Sequence, residues 1–256
     1  MTLLKNKTVF ITGASSGFGR EIAAAFAKKG SKLIIAARRA ERIKETAALL
    51  RKKYGVEVLP ITLDVRKKTD VAKSVKALPV KWRDIDILVN NAGLSRGLDK
   101  LQEGSIQDWD EMIDTNVKGL LYVTRSVLPQ MVKRNTGHLI NIGSIAGHEV
   151  YPKGNVYCAS KHAVDAITKG IRLDVVDTDI RVTTIDPGLA ETEFSIVRFR
   201  GNVNKAKAVY TGITPLKPAD IADAVIYAAS RPLNVVVAEM IIVPNKQASG
   251  QVVHRK

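Results

Sequence analysis

Tyr157 and Lys161 stand one helical turn apart in the run Tyr157-Cys158-Ala159-Ser160-Lys161. Positions i and i+4 share a helix face, so a phenol and an ammonium would meet in one environment. A free tyrosine ionises near pH ~10, and a nearby positive charge favours its phenolate. The pair therefore offers an acid/base group that works nearer neutrality. Alone, Y-x-x-x-K also occurs by chance on many surface helices. A second signal adds weight: the strand-like run ending Asn141-Ile142-Gly143-Ser144 lies shortly before it. A serine at the carboxyl end of a central parallel strand points into the crevice where ligands bind, and its hydroxyl can hold a substrate oxygen beside Tyr157. Cys158 neighbours Tyr157 but faces another way around the helix, and reads as packing. Ser144 lacks a G-x-S-x-G elbow, so no hydrolase triad is apparent.

A second constellation opens the chain. The run Thr12-Gly13-Ala14-Ser15-Ser16-Gly17-Phe18-Gly19 joins a strand pattern to a helix pattern. Gly13 allows a tight turn, Gly17 lets the backbone approach a pyrophosphate, and Gly19 lets the helix pack on the sheet. The helix N-terminus offers free N–H groups to phosphates. Glycine-rich turns are common, and the strand-before, helix-after context is what turns this one into a dinucleotide signal.

These residues need a scaffold, and the hydrophobic pattern supplies it. Strand patterns at 8–12, 32–37, 56–63, 85–89, 138–142, 180–185 and 238–243 alternate with helix patterns at 17–29, 41–53, 69–77, 109–133, 156–176 and 219–229. Strands of continuous Val/Ile/Leu character imply burial on both faces, as parallel sheets require. The expectation is an α/β fold: a single-domain, Rossmann-like, doubly wound sheet of about seven parallel strands with helices on both faces. The domain spans 1–256, with an irregular substrate lid at 187–214 and a tail at 244–256.

Composition narrows the function class. The chain has 256 residues, 45% of them apolar, enough for a sizeable core. Forty Lys and Arg against 25 Asp and Glu give a net charge of +15, spread along the chain in short clusters such as Arg51-Lys52-Lys53. That distribution reads as a solvated surface that helps an anionic cofactor approach, with no nucleic-acid partner expected. The aromatic fraction, 5%, disfavours base stacking. One cysteine and four unpaired histidines leave no motif for a disulfide or a metal. No apolar run is long enough to span a bilayer and no leader is apparent, so a cytoplasmic location is expected.

The spacing G-x-x-x-G-x-G, together with Asn90-Asn91-Ala92-Gly93 after the fourth strand, Ser144 and Tyr157-x-x-x-Lys161, resembles the short-chain dehydrogenase/reductase family from residue 8 to about 243. The resemblance implies a catalytic tetrad of Asn116, Ser144, Tyr157 and Lys161. By itself Asn116 would read as a solvated residue in a helix, since Asn is a poor helix former. In the family an asparagine here kinks the helix, and its carbonyl holds a water bonded to the lysine. The resemblance further implies that Ser15 approaches the cofactor's ribose phosphate, that Asp64 and Val65 flank the adenine, and that Pro187, Gly188 and Thr192 lie over the nicotinamide. It also implies a homotetramer or homodimer formed through the helices of Asn116 and Tyr157, with the tail covering a neighbouring subunit.

The cofactor type can be read from residues. NAD selection uses a carboxylate at the end of the second strand, but here that strand ends Ala36-Ala37-Arg38-Arg39. A 2′-phosphate meets two guanidiniums and no repulsion, which points to NADP(H). The stretches Asp114-Thr115-Asn116-Val117-Lys118-Gly119, Ile142-Gly143-Ser144-Ile145-Ala146-Gly147 and Glu193-Phe194-Ser195-Ile196-Val197-Arg198-Phe199 resemble NADP-dependent 3-hydroxy acid dehydrogenases. That implies hydride exchange at the 3-hydroxyl of a short hydroxy acid or hydroxy amino acid. Such a carboxylate needs a cation: Arg198 is the first candidate, with Lys153 and Arg96 behind it. His148-Glu149-Val150 and Ser95-Arg96 are expected to line the substrate pocket. Two other readings stand beside this one: a reductase of neutral ketones, aldehydes or sugars, and a non-catalytic NADP-sensing or nucleic-acid-binding protein.

Overall fold

Seven short runs rich in Val, Ile and Leu become the strands of one parallel sheet in the computed structural model, which describes residues 3–256. In chain order the elements are β1 (Thr8–Thr12), α1 (Gly17–Lys28), β2 (Lys32–Ala37), α2 (Ala40–Tyr54), β3 (Val58–Thr62), α3 (Lys68–Lys76) and β4 (Ile87–Asn90). They continue with α4 (Ile106–Ile113), α5 (Leu120–Lys133), β5 (Gly137–Ile142), α6 (Asn155–Asp174) and β6 (Ile180–Pro187). The chain closes with α7 (Glu193–Arg198), α8 (Val203–Ala208), α9 (Pro218–Ala229) and β7 (Glu239–Ile242).

The sheet order is β3-β2-β1-β4-β5-β6-β7, parallel throughout. Successive side chains of each strand point to opposite faces, and both faces are apolar. Val9, Ile11, Leu33, Ile35 and Val89 pack with α1, α2 and α9 on one side. Phe10, Ile34, Leu88, Leu139 and Val182 pack with residues of α3, α5 and α6 on the other. Burial on both faces is the reason these strands lack polar alternation. Pro60 sits inside β3, where an edge strand tolerates a missing N–H.

The order reverses between β1 and β4, and the crevice at that switch point is where an open parallel sheet binds ligands. Asn91 staples the two strand ends together: its Nδ2 donates to the Thr12 carbonyl at 2.9 Å, and its backbone N–H donates to Thr12 Oγ1 at 3.1 Å. Beneath it runs a buried polar chain. Asn90 Nδ2 donates to Thr124 Oγ1 and to Asn141 Oδ1, each at 2.9 Å, and Asn141 Nδ2 donates to Thr168 Oγ1 at 2.8 Å.

Two expectations need correction. The helix placed at 109–133 starts earlier, at Ile106, because Ser105 caps it, and a π segment, Asp114–Gly119, divides it into α4 and α5. The stretch 187–214 is not wholly irregular. It holds α7, capped by Thr192 Oγ1 accepting from the Phe194 N–H at 3.0 Å, and α8, capped by Asn202 Oδ1 accepting from the Lys205 N–H at 3.0 Å. The tail packs against its own chain. Gln247 Oε1 accepts from the Leu189 N–H at 2.8 Å, the Gly250 N–H donates to Glu149 Oε2 at 2.7 Å, and the Lys256 N–H donates to the Gly212 carbonyl at 3.0 Å. No helix among the described residues is long and apolar enough to cross a membrane.

Candidate active site

The glycine turn follows β1 directly. Gly13 has φ +68°, and a Cβ there would lie 2.9 Å from the Ala92 Cα, so this position needs glycine on both counts. Ser15, Ser16, Gly17 and Phe18 line the cleft beside it, while Gly19 is buried in the first turn of α1. A cleft of about 630 Å³ extends from Gly13 past Ser15, Arg38, Arg39, Asp64 and Val65. It shares Gly13, Ala92 and Gly93 with a second space of about 150 Å³ that also meets Asn91, Tyr157, Lys161 and Thr192. The residues expected at the phosphate and the adenine, with Thr192 from those expected at the nicotinamide, therefore line two adjoining spaces, while Pro187 and Gly188 line a further cavity. The shape of the adjoining spaces and their phosphate-seeking groups fit a dinucleotide cofactor.

Arg39 is already oriented. Its Nη2 donates to Ser15 Oγ at 3.0 Å and to Ser16 Oγ at 2.8 Å. Arg38 is half exposed, 3.8 Å from Glu111. The expectation that no carboxylate reaches this tip needs amending. Glu193, from the first turn of α7, pairs with Arg39 Nη1 at 2.9 Å and with Arg42 Nη1 at 2.9 Å. Sequence reasoning missed both Glu193 and Arg42, because their partners lie about 150 positions apart. Asp64 is held by Arg66, and its carboxyl lies below the usual range; burial raises it, but the Arg66 hydrogen bonds outweigh that.

Tyr157 and Lys161 open α6 and are both buried. Lys161 Nζ donates to the Ile142 carbonyl at 2.9 Å and stands 6.0 Å from the centroid of the Tyr157 ring. Burial lowers the Lys161 pKa to about 8, opposed by the charge of Asp186. Burial also raises the Tyr157 phenol well above its ordinary value, against the pull of Ser144 and Arg198. Desolvation is the largest of these influences on the phenol. Phe194 of α7 meets the same ring edge-on, centroids 5.7 Å apart. Cys158 is a buried free thiol whose pKa burial raises, as suits a packing residue.

Asn116 lies at the centre of the π segment, and its side chain closes a buried bracket. Oδ1 accepts from the Leu94 N–H at 2.8 Å, and Nδ2 donates to the Leu94 carbonyl at 2.8 Å and to Ser160 Oγ at 3.0 Å. The kink expected here is thus a local change of helix type, of the kind that gathers at functional sites.

Ser144 and Tyr157 also line a third cavity, of about 520 Å³, with Pro187, Gly188 and Arg198 on its walls. Arg198 Nε donates to the Gly97 carbonyl at 2.9 Å and Nη2 donates to the Tyr151 hydroxyl at 3.1 Å, while the guanidinium carbon lies 5.7 Å from the Tyr157 centroid. Among the described residues Nη1 has no hydrogen-bond partner. The tail closes this cavity through Gln247, Gln251 and Arg255, and no local pattern in 244–256 announced that.

The other substrate candidates fall elsewhere. Arg96 is paired with Glu111 at 2.7 Å and bonded to the Val197 carbonyl. Lys153 lines a small neighbouring pocket rather than this cavity. Ser95 is buried against Met112. His148 was expected to line the pocket, but its ring turns away, between Asp186 (Nε2, 3.4 Å) and Glu239 (Nδ1, 3.7 Å). These three could gather ligand atoms within 4.8 Å of one another. The imidazole turns a different nitrogen toward each carboxylate.

Comparison with known proteins agrees with this geometry. A family model described as short chain dehydrogenase matches residues 7–201. An NADP-dependent 3-hydroxy acid dehydrogenase of Schizosaccharomyces pombe is 46% identical over 257 residues, covering 100% of this chain and 99% of the relative. The NADP-dependent 3-hydroxy acid dehydrogenase YdfG of Salmonella typhi is 47% identical over 249 residues, covering 96% and 99%. The solved closed form of a serine dehydrogenase complexed with NADP+ superposes with a TM-score of 0.91 at 43% identity, covering 97% of this chain and 100% of that one.

Proposed function

This chain belongs to the short-chain dehydrogenase family, and from that premise we propose that it oxidises the 3-hydroxyl of a short hydroxy acid or hydroxy amino acid with NADP, and runs the reverse reduction. When bound, the nicotinamide cofactor takes up or delivers the hydride. Arg38 and Arg39 hold the 2′-phosphate with Ser15, and Asp64 and Val65 flank the adenine. In reduction Tyr157 gives its proton to the substrate oxygen, and Ser144 holds that oxygen through its hydroxyl. Lys161 binds the ribose and supplies positive charge beside the phenol. Asn116 fixes the π segment against Leu94 and Ser160, which carries the lysine's helix into register.

The observation that carries the substrate reading is that Tyr157, Ser144 and Arg198 line one cavity. Arg198 takes the substrate carboxylate, its Nη1 having no hydrogen-bond partner among the described residues, and residues 187–214 serve as the lid that brings it. The exposed Leu121 and Val132 on α5 and Leu173 on α6 support assembly as a tetramer or dimer through those helices, which the molar mass in solution tests. The volume of the cavity and its apolar wall, with Leu98, Ile145 and Val253, favour a second reading as a reductase of neutral carbonyls.

One panel decides between them. L-serine, 3-hydroxypropionate and neutral alcohols are offered with NADP+ and followed by NADPH absorbance. Arg198→Ala is expected to raise KM for the acids about 10- to 100-fold more than for the neutral substrates, the loss of a charged hydrogen bond. Equal effects on both classes would remove Arg198 from this role.

A further inference from the structure

A carboxylate lies directly beneath the proposed catalytic groups. Asp186, in β6, is 1% exposed. Its Oδ1 accepts from the Ser144 backbone N–H at 3.0 Å and from the Thr184 hydroxyl at 3.0 Å. That approach depends on residue 143: a Cβ on Gly143 would lie 1.8 Å from Asp186 Oδ1. Gly143 is not in the left-handed region, so the carboxylate, not the backbone, demands glycine there. Oδ2 has no hydrogen-bond partner among the described residues.

The charged surroundings of Asp186 come from three elements. His148 faces it from the loop after Ser144, with Nε2 at 3.4 Å. Glu239 of β7 stands behind His148. Lys161 and Lys169 of α6 both feel its charge, Lys169 being paired with Asp165 at 2.8 Å. Burial pushes the Asp186 carboxyl up, while Thr184 and His148 pull it back. A buried carboxylate that served packing alone would be a costly choice, since burying charge is unfavourable unless it is compensated.

We propose that Asp186 is a positioning residue: it orients Ser144 through its backbone N–H, on the same short segment whose Ile142 carbonyl receives Lys161 Nζ, and its negative charge beside that segment sets the pH range in which the Tyr157–Lys161 pair exchanges its proton. This inference rests on the reading of Tyr157 and Lys161 as the proton-handling pair. Deleting a negative charge lowers the pKa of neighbouring groups, and a coupled pair titrates as a unit. Asp186→Asn keeps the shape and an acceptor for Ser144 but removes the charge. Asp186→Glu keeps the charge. Asp186→Ser is a smaller neutral replacement should the asparagine variant not fold.

The test is the pH profile of kcat/KM for the full chain in both directions, with L-serine and NADP+ for oxidation and with malonic semialdehyde and NADPH for reduction. For the neutral variants, the acid limb of oxidation and the alkaline limb of reduction are both expected to move down by about one pH unit. Asp186→Glu should leave the limbs in place. Asp186→Ser should also lower kcat about tenfold, because the Ser144 N–H loses its acceptor. Limbs that stay put in both neutral variants, or that move equally in Asp186→Glu, would overturn the proposal. Tyr157→Phe separates the two layers: if it retained activity, the underlying reading of the pair would fail, whatever Asp186 does.

Discussion

His138 illustrates how much a single buried side chain can impose on the whole. It lies in β5 with Nε2 2.8 Å from Thr183 Oγ1, and burial lowers its pKa from 6.5 to about 3. Between these values the unfolded chain binds a proton that the folded chain refuses. Stability therefore rises with pH across that window and is lost as pH falls below about 6.5. The expected slope from this one group is at most about 1.4 kcal/mol per pH unit. Denaturant titrations between pH 4 and 7 (roughly the usable part of the window) should show a shallower dependence for His138→Gln than for the native chain. Equal slopes would mean that other groups carry the acid sensitivity. Tyr157 obeys the same desolvation logic with the opposite sign, as burial disfavours the charged phenolate. The pairing of Tyr157 with Lys161 was legible from spacing, but the depth at which the phenol is buried was not, because burial is a property of the packed site.

At the scale of elements, the break between α4 and α5 has no cause in helix propensity alone. Three buried hydrogen bonds from Asn116 to Leu94 and Ser160 hold it, and Leu94 belongs to the loop after β4. Asn116→Leu would leave the Leu94 N–H, its carbonyl and Ser160 Oγ without this partner. A loss of about 2–4 kcal/mol is expected from such unsatisfied buried groups, read as a lowered urea midpoint, together with a fall in kcat. A variant with native stability and activity would show that the π segment is held by other contacts. The helix α7 is a second case. Six residues carry Glu193 toward Arg39 and Arg42 at one end and Arg198 toward the substrate cavity at the other. So short a helix shows no readable periodicity, and only its Thr192 cap was available as a local sign. Exposed pairs such as Glu193 with Arg39 contribute little stability; this one ties the first turn of α7 to the start of α2.

Across the whole molecule, the tail joins parts that are far apart in the chain. Gly250 bonds Glu149, Gln251 Nε2 donates to the Val150 carbonyl at 2.7 Å, and Arg255 Nη1 donates to the Val209 carbonyl at 3.2 Å. Removing residues 250–256 should open the cavity while sparing both core layers, none of whose residues lie in that segment. The expected result is a rise of about tenfold or more in KM for L-serine, from lost substrate enclosure, with Tm and molar mass in solution nearly unchanged. A collapse of Tm or a change of mass would assign the tail to folding or assembly instead.

The alternation of apolar strands and amphipathic helices determined the parallel sheet, and the glycine turn, Arg38-Arg39 and Tyr157-x-x-x-Lys161 determined which chemistry it serves. These signals are local: side-chain period, strand-end position and helix spacing act within a few residues. Tertiary structure alone decided the partners of Glu193, the turn of His148 away from the pocket, the seat of Asp186 under Ser144 and the course of the tail. Each of those joins groups from separate parts of the fold, and long-range contact and desolvation come into being only when the layers pack.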